Sequence, residues 1–280
     1  MFKAISEKEI YLHFEKFFVN KESIRQKVKK WIPKKCHLLL DLGCKDGVIT
    51  SSYLGYSQKV IGADKAYNHL LKAVEKYSKI KFINGDASFL PFKDSCAEVI
   101  VLVEILQYIT KIEKIFSEAY RVLKPGGILI ISLPQKRGFS KYLNFFNYDK
   151  IKTIFKKEDK ALREESTFYL HSFKEVENLS KGLFTIKEHE GKGFLLYPIS
   201  YTLLMVLVNL TSLLLPDTKK QEKNLILFLY SILLFSFFRL LFWFFGFLMN
   251  IDSNLNFWKF SYSLLISMQK ELPDKGRIRG

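Results

Sequence analysis

The chain has 280 residues, of which 48% are hydrophobic and 26% charged, and that much apolar surface excludes an intrinsically disordered chain. Its 44 Lys and Arg against 28 Asp and Glu give a formal net charge of +16, a balance that suits polyanionic partners such as nucleic acid or an anionic membrane leaflet. The three cysteines, Cys36, Cys44 and Cys96, fit neither a zinc ribbon nor a paired disulfide framework, which points to a reducing compartment.

The N-terminal stretch MFKAISEKEIYLHFEKFF is too charged for the apolar region of a signal peptide, so the N-terminal part is expected on the cytoplasmic side. Residues 5–18 and 21–32 have the spacing of amphipathic helices, and Pro33 stops the second. Residues 37–42 form a short apolar run ending in Asp-Leu-Gly, which predicts a buried strand, with a helix following over 46–54. Further strands are predicted at 59–63, 80–83, 98–103 and 127–133, with helices at 68–77 and 112–123 between them. Alternation of this kind builds a parallel sheet with helices on both faces. Ser172 and Glu175 form a capping box that opens a helix. A sixth strand is expected at 184–189 and a seventh at 260–268.

Composition shifts sharply near residue 197. Residues 194–215 carry no charge, and residues 225–249 carry only Arg239. Each stretch reaches the length needed to span a bilayer core, about 20 residues. The second holds phenylalanine all around a helix, where a soluble amphipathic helix would keep one face polar. A buried helical hairpin or an oligomer interface is the competing reading. Two crossings would place Lys219, Lys220 and Lys223 on the far side, against the positive-inside tendency. Pro198 and Arg239 also sit more easily near headgroups, which favours an interfacial or re-entrant anchor. Four regions follow: N-terminal helices at 1–34, a nucleotide-binding domain at 35–197, an apolar hairpin at 198–250, and a last strand with a basic tail at 251–280.

The most informative stretch is LLLDLGCKDG, residues 38–47, in which a strand ends at Asp41 and turns through Gly43 and Gly47 into a helix. Open parallel sheets bind ligands beyond the carboxyl ends of their strands. Glycines there let the backbone come close to the ligand. Asp64 ends the second strand about 20 residues on, where an acid can bond a ribose hydroxyl. NAD-dependent dehydrogenases would need G-x-G-x-x-G, which Gly43-Cys44-Lys45-Asp46-Gly47 does not supply.

DLGCKDG, VIGADK, NGDASFLPF and RVLKPGGILIIS, in this order, resemble the class I S-adenosylmethionine-dependent methyltransferases of small molecules, and most the quinone-biosynthesis subgroup. The resemblance is good over 35–135 and loose over 170–195 and 255–270. It implies a Rossmann-like, doubly wound, mostly parallel seven-stranded sheet, here with an apolar helical insertion before the last strand, and S-adenosylmethionine as cofactor. It implies that Asp41, Gly43 and Gly47 shape the pocket for the methionine part. Asp64 would bond the ribose hydroxyls, Lys65 would lie beside the adenine, and Asp86 with Ala87 would meet the adenine amino group. Val103 and Glu104 would line the floor near the sulfonium. Lys45 departs from the family, which usually has glycine there. Its side chain can point outward, pair with the cofactor's carboxylate, or weaken binding.

Methyl transfer from a sulfonium is an in-line displacement and needs a general base only if the acceptor must lose a proton. The sequence shows no clear catalytic group. Glu104, Gln107 and Tyr108 follow the fourth strand, where the acceptor often sits in this family. His171 stands before the capped helix, as a base or as an exposed or capping histidine. Cys44 reads as a small apolar filler, and the histidines have no metal-ligand spacing. The expected acceptor is a small lipophilic or lipid-linked molecule met at a membrane. The rivals are a tethered enzyme of soluble acceptors, a non-catalytic membrane scaffold that keeps the fold, and a nucleic-acid methyltransferase. The last lacks its Asn/Asp-Pro-Pro-aromatic signature, since the fourth strand ends in VEILQY, so no nucleic-acid partner is expected.

Overall fold

A computed structural model describes residues 19–134, 169, 171–192, 203, 207, 210, 211, 214–216, 218–253 and 263–272. The expected helix at 5–18, the stretch 140–168 and most of the first apolar segment lie outside these residues. The chain divides into two compact units. One holds residues 24–137, 159–191 and 263–280, and the other holds 1–23, 138–158 and 192–262.

The first unit is built on a seven-stranded sheet in the order β3-β2-β1-β4-β5-β7-β6. Helix α1 (Val19–Trp31) precedes β1 (Cys36–Leu42), and α2 (Val48–Ser51) leads to β2 (Ser57–Asp64). Helix α3 (Tyr67–Lys76), β3 (Lys81–Asn84) and β4 (Ala97–Val103) follow. A single 3-10 turn (Leu106–Tyr108) and α4 (Ile112–Val122) lead to β5 (Leu123–Pro134). Helix α5 (Phe173–Ser180), β6 (Phe184–Lys192) and β7 (Ser263–Lys270) complete the unit. Strands β1 to β5 pair in parallel, while β7 runs antiparallel to β5 from Ile128↔Gln269 to Pro134↔Ser263. The order reverses between β1 and β4, which puts a switch point at the carboxyl ends of those two strands.

Central strands of such a sheet are buried on both faces, which is why they read as unbroken apolar runs. In β4, Val99, Ile100, Val101 and Leu102 are all 0% exposed. Ile100 and Leu102 face one core with Leu40, Leu42, Leu129 and Ile131, closed by Ile115, Phe116, Ala119 and Val122 of α4. Val99 and Val101 face the other core with Leu39, Ile130 and Leu265, closed by Ile24, Val28 and Trp31 of α1. Trp31 Nε1 donates to Glu188 at 2.7 Å, and Lys27 pairs with Glu190 at 2.7 Å, so α1 is also fixed to β6.

Two local expectations change. The helix expected at 46–54 is the single turn α2. Gly47 enters it at φ 75°, and the chain leaves at Gly55 with φ 91°. The fifth strand begins at Leu123, three residues before the Gly-Gly pair. The capping box forms as expected, with Ser172 Oγ accepting from Glu175 N at 3.2 Å and Glu175 accepting from Ser172 N at 2.9 Å.

In the second unit, α6 (Thr218–Lys223) runs into α7 (Leu225–Ser253). Asn224 separates them, and its side-chain oxygen caps α7 by accepting from Ile226 N and Leu227 N. At about 1.5 Å per residue the 29 residues of α7 extend over roughly 43 Å. Leu227, Ser231, Leu234, Phe238, Leu241, Phe245 and Leu248 form its covered stripe, at alternating steps of four and three. The opposite face is exposed and just as apolar, with Ile226, Leu233, Phe237, Leu240 and Trp243 all more than half exposed.

Candidate active site

The carboxyl edge of β1 is shaped by a tight turn. Gly43 and Cys44 both donate to the carbonyl of Ala63 on β2, at 2.7 and 3.2 Å. Gly43 has φ 76°, and a Cβ there would meet Ile105 Cγ2 at 2.3 Å. Gly47, at φ 75°, would put its Cβ 2.7 Å from the Phe82 ring. Both positions therefore require glycine for conformation and for space.

Asp64, at the end of β2, is 8% exposed. One carboxylate oxygen accepts from Lys45 N and the other from Ala66 N, each at 2.8 Å. A carboxylate offers about four acceptor positions, so each oxygen keeps one for a further donor. That is the arrangement a pair of vicinal hydroxyls needs. Asn84 at the end of β3 donates to the carbonyls of Asp64 and Lys65 at 3.0 Å, which joins the β2 and β3 ends. Lys65 itself is exposed.

Asp86 lies two residues past β3 and is exposed, its Oδ1 accepting from Ser88 N at 2.7 Å. Ala87 is half-buried against the first core. The loop is held from behind, because Leu90 N donates to Glu118 at 2.8 Å and Arg121 donates to the carbonyls of Leu90 and Phe92. Arg121 also pairs with Asp94 at 2.6 Å and Glu118 at 2.8 Å.

Asp41 sits behind the turn, 2% exposed, and accepts from Thr50 Oγ1 at 2.6 Å. Burial pushes its carboxyl up to about 7, against the opposing pull of the Thr50 hydrogen bond. Burial and then the charges of Asp41 and Asp64 also push the Cys44 thiol far up. Such a thiol is no nucleophile at neutral pH, and Cys44 acts as a small apolar filler.

At the end of β4, Val103 is 8% exposed. Glu104 takes the left-handed φ of 56°, uncommon for a residue with a Cβ. Its N–H donates to the carbonyl and the hydroxyl of Ser132 on β5, both at 3.1 Å. Its carboxylate accepts from Ser132 Oγ at 3.2 Å and from Ser263 Oγ on β7 at 3.0 Å. Gln107 is 3% exposed, with Nε2 donating to the Glu104 carbonyl at 2.7 Å and Oε1 buried without a partner among the described residues. Tyr108 is 45% exposed. Tyr169 N donates to the carbonyl of Gln107 at 2.8 Å, which brings the segment before α5 to the same edge. His171 Nδ1 lies 3.8 Å from Glu175, and its Nε2 is buried without a partner among the described residues.

Asp41, Gly43, Lys45, Gly47, Asp64, Lys65, Asp86, Ala87, Val103, Glu104 and Tyr108 thus all belong to the carboxyl ends of β1 to β4 or the loops just beyond. Ser132 and Ser263, which the sequence did not single out, join them through Glu104. Thr50 joins through Asp41. Among the described residues no cluster of His, Cys, Asp and Glu could hold a metal ion.

Residues 40–131 match the family described as methyltransferase domain. The chain is 26% identical over 102 residues to a probable S-adenosylmethionine-dependent methyltransferase of Mycolicibacterium smegmatis, which covers 36% of this chain and 40% of the relative. It is 28% identical over 142 residues to a ubiquinone/menaquinone biosynthesis C-methyltransferase of Pseudoalteromonas translucida, covering 46% of this chain and 57% of the relative. It is 32% identical over 98 residues to a sterol 4-C-methyltransferase of Caenorhabditis elegans, covering 33% and 29%. The chain thus spans well under two thirds of the length of each. Among solved structures, a methyltransferase-like protein of Bacillus halodurans aligns with a TM-score of 0.54 at 16% identity, over 88% of this chain and 98% of that one. Phosphoethanolamine N-methyltransferase 2 of Haemonchus contortus, in complex with S-adenosyl-L-methionine, aligns at 0.53 and 19% identity, over 95% of this chain and 57% of that one. At these identities the structural likeness is one of fold, and the fold is the Rossmann-like sheet of methyltransferases. The matched segment and the sequence relatives support an S-adenosylmethionine-dependent methyltransferase.

Proposed function

We propose that this chain is an S-adenosylmethionine-dependent methyltransferase that works at a membrane on a small lipophilic acceptor, of the quinone-precursor or lipid-linked kind. The observation that carries the enzymatic reading is the Asp64 carboxylate, fixed by two backbone N–H groups beside the Gly43–Gly47 turn, inside the segment that matches the methyltransferase domain family.

The residues fit the cofactor. Gly43 and Gly47 would shape the turn that meets its methionine end, Asp64 keeps an acceptor position on each oxygen for the ribose hydroxyls, and Asp86 and Ala87 would meet the adenine. S-adenosylmethionine supplies an electrophilic methyl group on a sulfonium. What the protein must add is alignment and exclusion of water. Glu104 does part of this, because two serine hydroxyls and a strained backbone hold its carboxylate in one place at the end of β4. There it orients the acceptor and can take up a proton from an attacking hydroxyl or carbon acid. Tyr108 follows Glu104 by four residues, and Tyr169, two residues before His171, donates its N–H to the Gln107 carbonyl.

The membrane reading draws on α7. Its most apolar 21 residues, Leu225–Phe245, have a mean hydropathy of 2.3 and are 12% buried, enough length and apolarity to cross a bilayer. The exposed face opposite the Phe238 stripe is too large and too apolar to remain in water. Lys219, Lys220 and Lys223 on α6 lie next to its start, and exposed Arg239 falls at its middle. This fits an interfacial or re-entrant helix on an anionic leaflet, with the cations at headgroup level. The sheet unit would then stand on the cytoplasmic side. A protein held there meets acceptors dissolved in the bilayer, in keeping with the quinone-biosynthesis and sterol methyltransferases among its relatives.

The test is methyl incorporation from radiolabelled S-adenosylmethionine into the lipid and the aqueous fractions of a cell extract. The account expects label in the lipid fraction. Label confined to the aqueous fraction would contradict the lipophilic acceptor, and label in neither would favour a scaffold that keeps the fold. Flotation with anionic and zwitterionic vesicles tests the surface, with binding expected to the anionic ones and to weaken with salt.

A further inference from the structure

Lys45 occupies the middle of the glycine turn, where its φ is 48°. A left-handed conformation costs a residue with a Cβ about 1–2 kcal/mol. The backbone nevertheless keeps the shape of the turn, since Lys45 N donates to Asp64 at 2.8 Å. The position carries strain that a glycine would not, and in exchange it carries an ammonium.

That ammonium points across the sheet edge. Its backbone is tied to the end of β2, while its Nζ lies 5.9 Å from the ring centroid of Tyr108, beyond the end of β4. A separation near 6 Å is the outer limit of a cation–π contact, worth about 0.5–1 kcal/mol at an exposed site. Tyr108 therefore holds the ammonium loosely. Among the described residues no carboxylate forms an ion pair with it. The side chain thus lies over the route from the ribose acid to the β4 end, without a counter-anion.

We propose that Lys45 pairs with the amino-acid carboxylate of bound S-adenosylmethionine. This rests on the function proposed above. A cofactor stretched from Asp64 toward the β4 end brings its methionine end to this turn, and its carboxylate is the anion that the ammonium lacks. Pairing also removes the ammonium from the sulfonium, whose like charge it would otherwise repel. Lys45 is then a specificity residue for the complete amino-acid end of the cofactor.

Calorimetric titration of the full chain and of Lys45→Gln with S-adenosylmethionine, S-adenosylhomocysteine and 5′-methylthioadenosine tests this. The third ligand has the nucleoside but no amino-acid carboxylate. Loss of one charge-assisted contact should weaken the first two by roughly tenfold and leave the third within about twofold. Lys45→Arg should retain affinity. Lys45→Gly, which relieves the strain, should melt higher than the parent and lose the same affinity, so the result does not depend on a damaged fold. If Lys45→Gln binds S-adenosylmethionine more tightly, the ammonium obstructs the site and the proposal is overturned. Equal losses for all three ligands also overturn it. A parent chain that binds none of the three would overturn the methyltransferase reading itself, and this inference with it.

Discussion

Ser263 donates its hydroxyl to the Glu104 carboxylate at 3.0 Å, across 159 positions of sequence. Ser263 opens β7, the strand that follows the apolar helix, and Glu104 directly follows β4 at the candidate active site. The return of the chain to the sheet therefore completes the environment of the Glu104 carboxylate just beyond β4.

Ser263→Ala should loosen Glu104 without disturbing the nucleotide half of the site. One lost hydrogen bond to a carboxylate is worth about 1.5 kcal/mol, so kcat should fall roughly tenfold. The dissociation constant for S-adenosylhomocysteine should stay within about twofold, and Ser263→Thr should rescue turnover. Steady-state kinetics beside calorimetry checks the split. A proportional loss of both would mean that Ser263 only supports the fold.

Asp41 sets a pH dependence of stability. The unfolded chain releases this proton near its ordinary value of 3.8, whereas the folded chain holds it to about 7. Between those values the folded state binds the extra proton, so stability is highest below the lower value and falls as pH rises through about 7. The decline is on the order of 2–4 kcal/mol. Asp41→Asn keeps an acceptor for Thr50 and removes the titration. Its Tm should fall less than that of the parent between pH 5 and 8, and parallel curves for the two proteins would contradict the assignment.

Gly43→Ala should be among the most damaging single changes at the turn. It combines a φ of 76° with a Cβ placed 2.3 Å from Ile105 Cγ2. Backbone strain and overpacking together should cost about 2–5 kcal/mol. Thermal melting measures the loss. Ile105→Ala, which removes the Cγ2 methyl, should make the added cost of Gly43→Ala smaller than it is in the parent chain, which a purely conformational cost would not allow.

Arg121 should reach the cofactor through the loop that carries Asp86. Arg121→Lys keeps the charge but cannot bond Leu90 O, Phe92 O, Glu118 and Asp94 together. We expect a loss of stability of about 1–3 kcal/mol and several-fold weaker binding of adenosine-containing ligands. Unchanged binding in a destabilised variant would separate the loop from the site.

The sheet was legible in the sequence because its central strands are buried on both faces, so β1, β4 and β5 appear as apolar runs with hardly a polar break. The Ser172–Glu175 cap was legible because both of its hydrogen bonds lie within four residues. That residues 46–54 hold a single helical turn and not a full helix was not legible, since nothing in the local pattern shows that Gly47 enters at a left-handed φ and leaves room for one turn. Glu104 could be named as a candidate, but its holders could not. Ser132 and Ser263 meet it only after β5 and β7 pair in opposite directions, and no local spacing records that pairing. Thr50 is similar, since its bond to Asp41 closes across the strand, the turn and the helix start.

The central claim is that the Asp64 edge binds an adenosyl cofactor. Calorimetry of the full chain and of Asp64→Ala with S-adenosylhomocysteine tests it most directly. The account predicts saturable binding to the parent chain and a loss of at least roughly a hundredfold in the variant, about 2.7 kcal/mol for two hydroxyl contacts to a carboxylate, with the fold retained by circular dichroism. Equal affinity in the two proteins, or no binding to the parent at millimolar ligand, would contradict it.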